Sequence, residues 1–456
     1  MAKEEILILP KPDLAAALFL EIDAAQERPI KKGRSSPFPP MLWVGDGRAI
    51  KASDEAFELV WQYAHSIASE NSGLTSALML SEVADIIGKA AAVFVAEFGL
   101  RDLVSRSADW LVTELDNRIQ AFMSAKRGNA EYYFGCTLLH GVNVPAITIG
   151  PVSFRSNEEW LNILVQERNL PEITARRMRL NWSGKKPRPR KAGRDYVERS
   201  LLDAVGRAPV VATVMTRNQS SKTAEPKALL SARIAMTAIS LIWRKPSVIL
   251  DDMRLNHDGG FDQRHYAVCS GPGSFGSSHS SFGSPKGFYV GEDEIHVLTQ
   301  FMPILDQVGA VLDIFVDPER KTDRPKILKT IFMSLWWFHE ACRERSDLIA
   351  IAKFASSLDS LASGKRADGI KRLIVNRLGR DAKRPWFKDG RSSDDVIREI
   401  YEITRNQVIH GSIKTFDQDW SAARNTAQFV ARECLVASLE WIHNNQNSNV
   451  PGDLLK

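Results

Sequence analysis

Apolar residues recur at helical spacing through most of this chain. Ala77, Leu80, Ala84, Ile87, Ala91 and Phe94 fall on one face of a 3.6-residue period and predict a helix across 74–98. The same pattern predicts helices at 54–71 and at about 107–126, the latter through Trp110, Leu111, Leu115, Ile119 and Phe122. VNVPAITIGPVSFR, at 142–155, breaks the period and predicts two short strands about a Gly-Pro turn, after which NEEWLNILVQERNL resumes helix. Helices are expected at 196–206 and 225–243, with Pro226 near the start of the second, and short strands in PSVILDD and HYAVCSG. From about 295 onward the pattern is almost wholly helical: 294–316, 325–345, 347–363, 367–379, 393–410 and 418–444. Asp317-Pro318, Asp323-Arg324-Pro325, Ser363-Gly364, Lys388-Asp389-Gly390 and Gly411 separate these segments, and such short connections predict an antiparallel bundle.

The fold class that follows is mainly α: a C-terminal antiparallel helical bundle preceded by a larger α-rich region with a minor β component. Four segments are expected: an α-rich region with a short β element (1–180), a basic linker (181–195), a mixed α/β region (196–320) and the bundle (321–456). Residues 1–50 read as rich in proline and loops. SGPGSFGSSHSSFGSPKG, at 270–287, predicts a flexible Gly/Ser-rich loop and contains no GxxxxGK[ST] phosphate loop.

Composition narrows the class without changing it. A chain of 456 residues, 44% hydrophobic and 25% charged, can bury two to four proper cores, which excludes a disordered chain, a fibre and a disulfide-stapled miniprotein. Cys136, Cys269, Cys342 and Cys434 are scattered, form no CxxC motif and read as reduced thiols. MAKEEILILPKPD lacks the apolar run of an export signal, and the apolar stretch 84–100 carries Asp85, Lys89 and Glu97. A cytoplasmic protein with no membrane partner is expected.

Charge is concentrated. Arg176 to Arg194 holds nine basic residues and no acid, and Gly364 to Arg391 holds ten against three aspartates. With +9 and +7 in these stretches and +5 in total, the remainder carries −11. Such asymmetry suits a polyanion. Candidate RNA contacts are Arg176, Arg177, Arg179, Lys185 and Lys186 in the first stretch and Lys383, Arg384 and Lys388 in the second, with Trp182 as a base-stacking platform. The competing reading is a solvated linker and a solvated helix face.

One segment carries chemistry: Tyr401-Glu-Ile-Thr-Arg405-Asn406-Gln-Val-Ile-His410-Gly411. Ser392 or Ser393 with Asp394 and Asp395 forms a helix start, and Gly411 a helix stop, so His410 sits in the last turn. Asn406 shares its face at i−4, whereas Arg405, five residues away, lies roughly 140° around an ideal helix. A slight unwinding, or a symmetry-related copy, would have to unite Arg and His. Arg, a polar residue and His suit phosphodiester cleavage: His moves the protons, Arg binds the non-bridging oxygens, and no metal or cofactor is required if the RNA 2′-OH is the nucleophile. Elsewhere, His339 and Cys342 lack further ligands at metal spacing, and Trp336, Trp337, Phe338, Phe354 and Leu358 read as core. Asp251-Asp252 with His257 and Asp258 reads as a turn, and Glu292-Asp293-Glu294 as a helix start.

The motif resembles the signature of the HEPN superfamily, whose nucleases carry R-[polar]-x3-H near the end of a bundle helix. SLWWFHEACRERSDLIAIAKFASSLDSLASG (334–364), IYEITRNQVIHGS (400–412) and WSAARNTAQFVARECLVASLEWI (420–442) resemble the helices of the Apea-like HEPN group, across about the last 135 residues. VPAITIGPVSF resembles, more loosely, a β element that often precedes that bundle. The resemblance implies a HEPN-like bundle, frequently a homodimer with facing motif helices, and a metal-independent endoribonuclease leaving a 2′,3′-cyclic phosphate and a 5′-hydroxyl. It assigns catalysis to Arg405, Asn406 and His410, and implies a toxin-like or antiphage role with an unidentified trigger or inhibitor at the N-terminal region. Some such proteins are inactive, so the alternative is an RNA- or nucleotide-binding module or a dimeric interaction scaffold.

Overall fold

The structure is a computed structural model that describes residues 9–28, 40–45, 47–71, 73–141, 144–189, 196–259, 263–271, 274–281, 287–381, 383–412 and 418–456. The fold is mainly α with a minor β component. The chain forms two compact units. The first comprises residues 1–130, 216–227 and 317–319, and the second 131–215, 228–316 and 320–456.

In the first unit, helices Lys11–Glu27, Asp54–Glu70, Leu80–Phe98 and Ala108–Lys126 pack with the antiparallel hairpin Met41–Gly45/Arg48–Lys51. Their core joins Leu14, Leu18, Phe19 and Ile22 to Tyr63, Ile87, Phe94, Leu115 and Ile119. The helix Lys11–Glu27 corrects the reading of 1–50 as loops. Its apolar positions follow a helical stripe, and Pro12 lies in its first turn, where a missing N–H costs nothing.

A five-stranded sheet, most of its residues in the second unit, has the order Ile147–Ile149, Val152–Ser156, Val210–Gln219, Gly128–Thr137, Arg254–Leu255. The two strands around Gly150-Pro151 are those expected, and they pair antiparallel. Gly150 has φ +55°, and a Cβ there would lie 2.4 Å from the Gly309 carbonyl oxygen, so this turn rests directly on helix Glu292–Val316. Successive residues of Val210–Gln219 face opposite sides. Ala212 and Val214 join the main core, whereas Val211 joins Trp160, Leu161, Leu164, Met178 and Val205 in a smaller one.

The main core continues from the sheet into the bundle: Pro325–Arg343, Asp347–Leu361, Arg366–Leu378, the helical stretch 393–410 and Ser421–Asn444. Phe338 meets Phe354, Ser334 meets Ser357 and Glu340 meets Lys353, so the first two helices run antiparallel. Among the described residues, only Glu292–Val316 is long and apolar enough to cross a membrane, with mean hydropathy 1.3 over its best window. Leu298, Leu305, Val308, Val311 and Leu312 on that helix are buried in this core.

Two local readings are corrected. PSVILDD is a helix, Pro246–Asp252, not a strand: seven residues carry too little periodicity to decide, and Pro fits the first helical turn. The Gly/Ser-rich segment is not simply a loop. Gln263–Gly271 pairs antiparallel with Ser274–Ser281, because backbone ladder bonds need no side chains. Residues 272–273 and 282–286 lie outside the described residues.

Candidate functional site

The motif helix begins where expected. The Ser392 hydroxyl accepts from the Asp395 N–H at 3.2 Å, and the Asp395 carboxylate accepts in return from the Ser392 N–H at 2.9 Å. Val396, Ile397 and Ile400 bury its apolar face in the bundle. The helix ends at Gly411, whose φ of +64° is the left-handed stop.

Between these ends the backbone does something the spacing did not foretell. Arg398–Arg405 is π-helical, and regular α-helix returns only for Asn406–His410. Bonds in such a segment run i to i+5. The Thr404 hydroxyl follows the same step, donating to the Glu399 carbonyl at 2.8 Å. The unwinding therefore exists, but it lies before Arg405 rather than between Arg405 and His410. Those two residues are still spaced along ordinary α-helix.

Widening the turn places Tyr401 almost directly beneath Arg405. The guanidinium lies over the Tyr401 ring, 4.7 Å from its centre, and donates to the phenol oxygen at 3.2 Å. The phenol donates in turn to Asp359 Oδ2 at 3.2 Å, and Arg405 Nη2 lies 3.9 Å from the same oxygen. Burial, followed by the charge of Asp359, raises the Tyr401 phenol above its ordinary pKa, so it stays a neutral donor. Arg405 is thus half-buried and turned toward Asp359, and its Nε is buried without a hydrogen-bond partner. Asp359 and Tyr401 are site residues that the sequence reading missed. Tyr401 was visible as a residue four positions before Arg405, whereas Asp359 comes from another helix and no local pattern points to it.

His410 is exposed and Asn406 half-buried. Neither side chain makes a hydrogen bond or ion pair among the described residues. Within one chain the three motif residues share a helix end, but among the described residues no side-chain hydrogen bond or ion pair joins them.

The basic stretches divide in the same way. Arg177 is held by Glu198 at 2.5 Å and by the Arg188 carbonyl at 2.6 Å, and Arg179 by Glu158 at 3.0 Å and Asn162 at 2.7 Å. Trp182 is no free stacking platform, because its indole donates to the Gly206 carbonyl at 2.7 Å and packs on the smaller core. Arg176, Lys185 and Lys186 have no ion-pair partner among the described residues, and Arg190, Lys191 and Arg194 lie outside those residues.

In the second stretch, Arg372 and Arg377 tie down the carbonyls of Leu454 and Leu455, and Lys371 pairs with Asp394 at 3.5 Å. Lys383, Arg384 and Lys388 are exposed. Lys383 and Arg384, the latter paired with Asp381 at 3.5 Å, precede a bridge between Pro385 and Ser392, and Lys388 lies within the segment it closes, so all three sit by the start of the motif helix. His410 lies at its other end. Arg366 lies closer to Arg405: Asp359 accepts the Arg366 N–H at 2.9 Å, and the Arg366 charge acts on the Tyr401 phenol, with Lys365 preceding it in the same turn.

Other candidates resolve into structure. Asp258 is paired with Arg233 at 3.0 Å, and Glu292, Asp293 and Glu294 form the first turn of their helix. Among the described residues no group of three or more His, Cys, Asp or Glu is placed to hold a metal ion. Compared with known proteins, the chain matches no family model, no curated protein and no solved structure.

Proposed function

We propose that the chain is an endoribonuclease that cleaves RNA by attack of the 2′-OH on the adjacent phosphorus. The observation that carries the reading is an R-N-x3-H segment at the end of a bundle helix, with the Arg oriented by Tyr401 and Asp359 and the His open to solvent. Exposed His410 takes the proton from the 2′-OH or gives one to the leaving 5′-oxygen. Arg405 binds the non-bridging oxygens as their charge develops, and Asn406 positions the phosphate. The P–O5′ bond breaks as the 2′-O–P bond forms, leaving a 2′,3′-cyclic phosphate and a 5′-hydroxyl. No metal takes part in these steps. A second copy of the bundle supplies the partner that one helix lacks, in a C2 homodimer. The setting that fits is a cytoplasmic one, in antiphage defence or a toxin-like role, with the N-terminal region receiving a trigger or inhibitor.

A second reading is favoured by the engagement of Arg405 with Asp359. In it the bundle holds RNA without cutting it, or serves as a dimeric scaffold. Sequencing RNA 5′ ends from cells expressing the wild type beside His410→Ala separates the two. New His410-dependent 5′-hydroxyl ends support the nuclease, and identical profiles from a well-expressed pair reject it. With purified protein, cleavage should survive EDTA and fail on RNA carrying 2′-H at the cut site.

A further inference from the structure

A second feature of the bundle shares no residue with the motif helix and is independent of the nuclease reading. A cleft of about 800 Å³ opens where helix Pro325–Arg343 ends, lined also by the strand Arg254–Leu255 and the start of Ser421–Asn444. Its walls are unusually charged, and most of that charge is already matched. Arg233 is paired with Asp258 at 3.0 Å, Arg424 with Asp347 at 2.8 Å, and Glu344 and Glu340 with Lys353 at 2.8 and 3.6 Å.

Two arginines are left over. Arg343 donates from Nη2 to the Met253 carbonyl at 2.7 Å, and Arg254 from Nε to the Asp251 carbonyl at 3.1 Å. Neither has a carboxylate within ion-pair distance among the described residues. Each guanidinium carries five N–H donors, so most of both forks is unspent. The one unpaired carboxylate on the wall, Asp251, is exposed. Arg343, largely buried, feels the charges of Asp258 and Asp251 but pairs with neither and hydrogen-bonds only a carbonyl, a cost in stability that an entering anion would recover.

The third element is a buried imidazole one helical turn before Arg343. His339 Nδ1 lies 2.8 Å from Thr237 Oγ1. The Thr237 hydroxyl also donates to the Arg233 carbonyl at 3.0 Å, and with its single hydrogen there the ring donates from Nδ1. Nε2 is then unprotonated and has no partner among the described residues. His339 lines the cleft, and Nε2 is the only polar atom of its ring left to accept a hydrogen bond.

We propose that this cleft binds a small phosphorylated ligand of nucleotide size, its phosphate on Arg343 and Arg254 and an N–H of its base donating to His339 Nε2. A bare phosphate would leave most of the volume empty, whereas about 800 Å³ lies in the range of 300–1,000 Å³ usual for small-molecule sites. The planar forks suit phosphate oxygens, and the acceptor selects a ligand with a donor beyond the phosphate.

The test is thermal unfolding and titration calorimetry of the full chain with each of the four nucleoside 5′-monophosphates, the four nucleosides and inorganic phosphate. At least one monophosphate at millimolar concentration should raise the melting temperature and bind more tightly than inorganic phosphate, and the nucleosides should do neither. Arg343→Gln and Arg254→Gln should each weaken that binding about 10- to 100-fold, the loss expected of charge-assisted hydrogen bonds. His339→Gln should weaken the monophosphate while leaving inorganic phosphate unchanged. Arg254 is half-exposed, so its variant tests the idea even if Arg343→Gln does not fold. Four inert monophosphates overturn the proposal. So does binding that Arg254→Gln leaves intact, inorganic phosphate binding as tightly as any monophosphate, or binding confined to a 5′-phosphorylated oligoribonucleotide.

Discussion

Arg405 owes its position to two neighbours, and that fixes how its variants should rank. His410 is exposed and Arg405 half-buried at a helix end, so neither contributes much to the core, and His410→Ala should melt like the wild type. In single-turnover cleavage, His410→Ala should lose about 10²–10⁴-fold, as expected for a general acid/base, and Arg405→Ala about 10²–10³-fold. Arg405→Lys should recover little, because an ammonium can neither fork onto phosphate nor lie flat on Tyr401. Asn406→Ala should be the mildest of the motif variants. Tyr401→Phe keeps the ring but removes both phenol hydrogen bonds, and a loss of about tenfold would mark it as positioning Arg405. An unchanged rate in Tyr401→Phe would show that the observed orientation is irrelevant to turnover. His339 sets a different measurement. Burial first, then Arg343, Arg233 and Lys353, hold its pKa at about 3, against an ordinary value of 6.5. Between those values the unfolded chain takes up a proton that the native one refuses. Stability therefore rises with pH across this window and is lost as pH falls from about 6.5 toward 3, by at most about 1.4 kcal/mol per unit. Urea unfolding at about pH 7.5 and pH 5 should show a stability difference some 2 kcal/mol larger in the wild type than in His339→Gln, a gap set by that slope. Equal differences would mean that His339 is protonated in the fold.

At the scale of elements, the motif helix is defined by its ends, and both were legible. Ser392 with Asp395 and the left-handed Gly411 are local chemistry, written in adjacent residues. Ser392→Ala should cost about 0.5–2 kcal/mol as a lost cap, and Gly411→Ala about 1–2 kcal/mol for a Cβ forced into the left-handed region. Their stability costs overlap, but their effects on cleavage should not. Gly411→Ala disturbs the turn that holds His410 and should slow the reaction the more, as paired melting and rate measurements would reveal. The π-helical stretch was not legible, because it answers to what Tyr401 and Thr404 meet in three dimensions rather than to spacing along the chain. The same division runs through the fold. Long amphipathic helices such as Asp54–Glu70, Ala108–Lys126 and Pro325–Arg343 announce themselves by periodicity. The strands Gly128–Thr137 and Val210–Gln219 were overlooked although they are central to the sheet, because GNAEYYFGCT and VVATVMTRNQ lie beside longer helical patterns and need partners distant in sequence. Asp359 and the cleft around Arg343 were hidden for that reason too, being assembled from segments that no local motif connects.

For the molecule as a whole, two questions follow from what one chain leaves apart. The first is the path of RNA. With Lys365 and Arg366 beside Asp359, and Lys383, Arg384 and Lys388 at the far end of the motif helix, a bound strand must run along that helix to touch both groups. Charge reversal at Lys383, Arg384 and Lys388 should weaken RNA binding and flatten its salt dependence, and reversal at Lys365 and Arg366 should also slow cleavage of bound RNA. A larger effect from neutralising Arg176, Lys185 and Lys186 would assign RNA reading to the first basic stretch instead. The second question is how Arg405 and His410 come to act on one phosphate. Ordinary α-helix between them keeps them on different faces, so the proposed cleft takes its Arg from one copy and its His from the other. A C2 interface holds two such pairs. If Arg405→Ala and His410→Ala proteins are mixed and allowed to exchange subunits, the mixed dimer rebuilds one pair from two inactive parents. Half the dimers would carry one pair of two, so activity should return to about a quarter of the wild-type rate. Light scattering should give a dimer for each parent and for the mixture. A mixture as inactive as its parents, with subunit exchange demonstrated, would place Arg and His of one chain in the same cleft and require the helix end to rearrange when RNA binds.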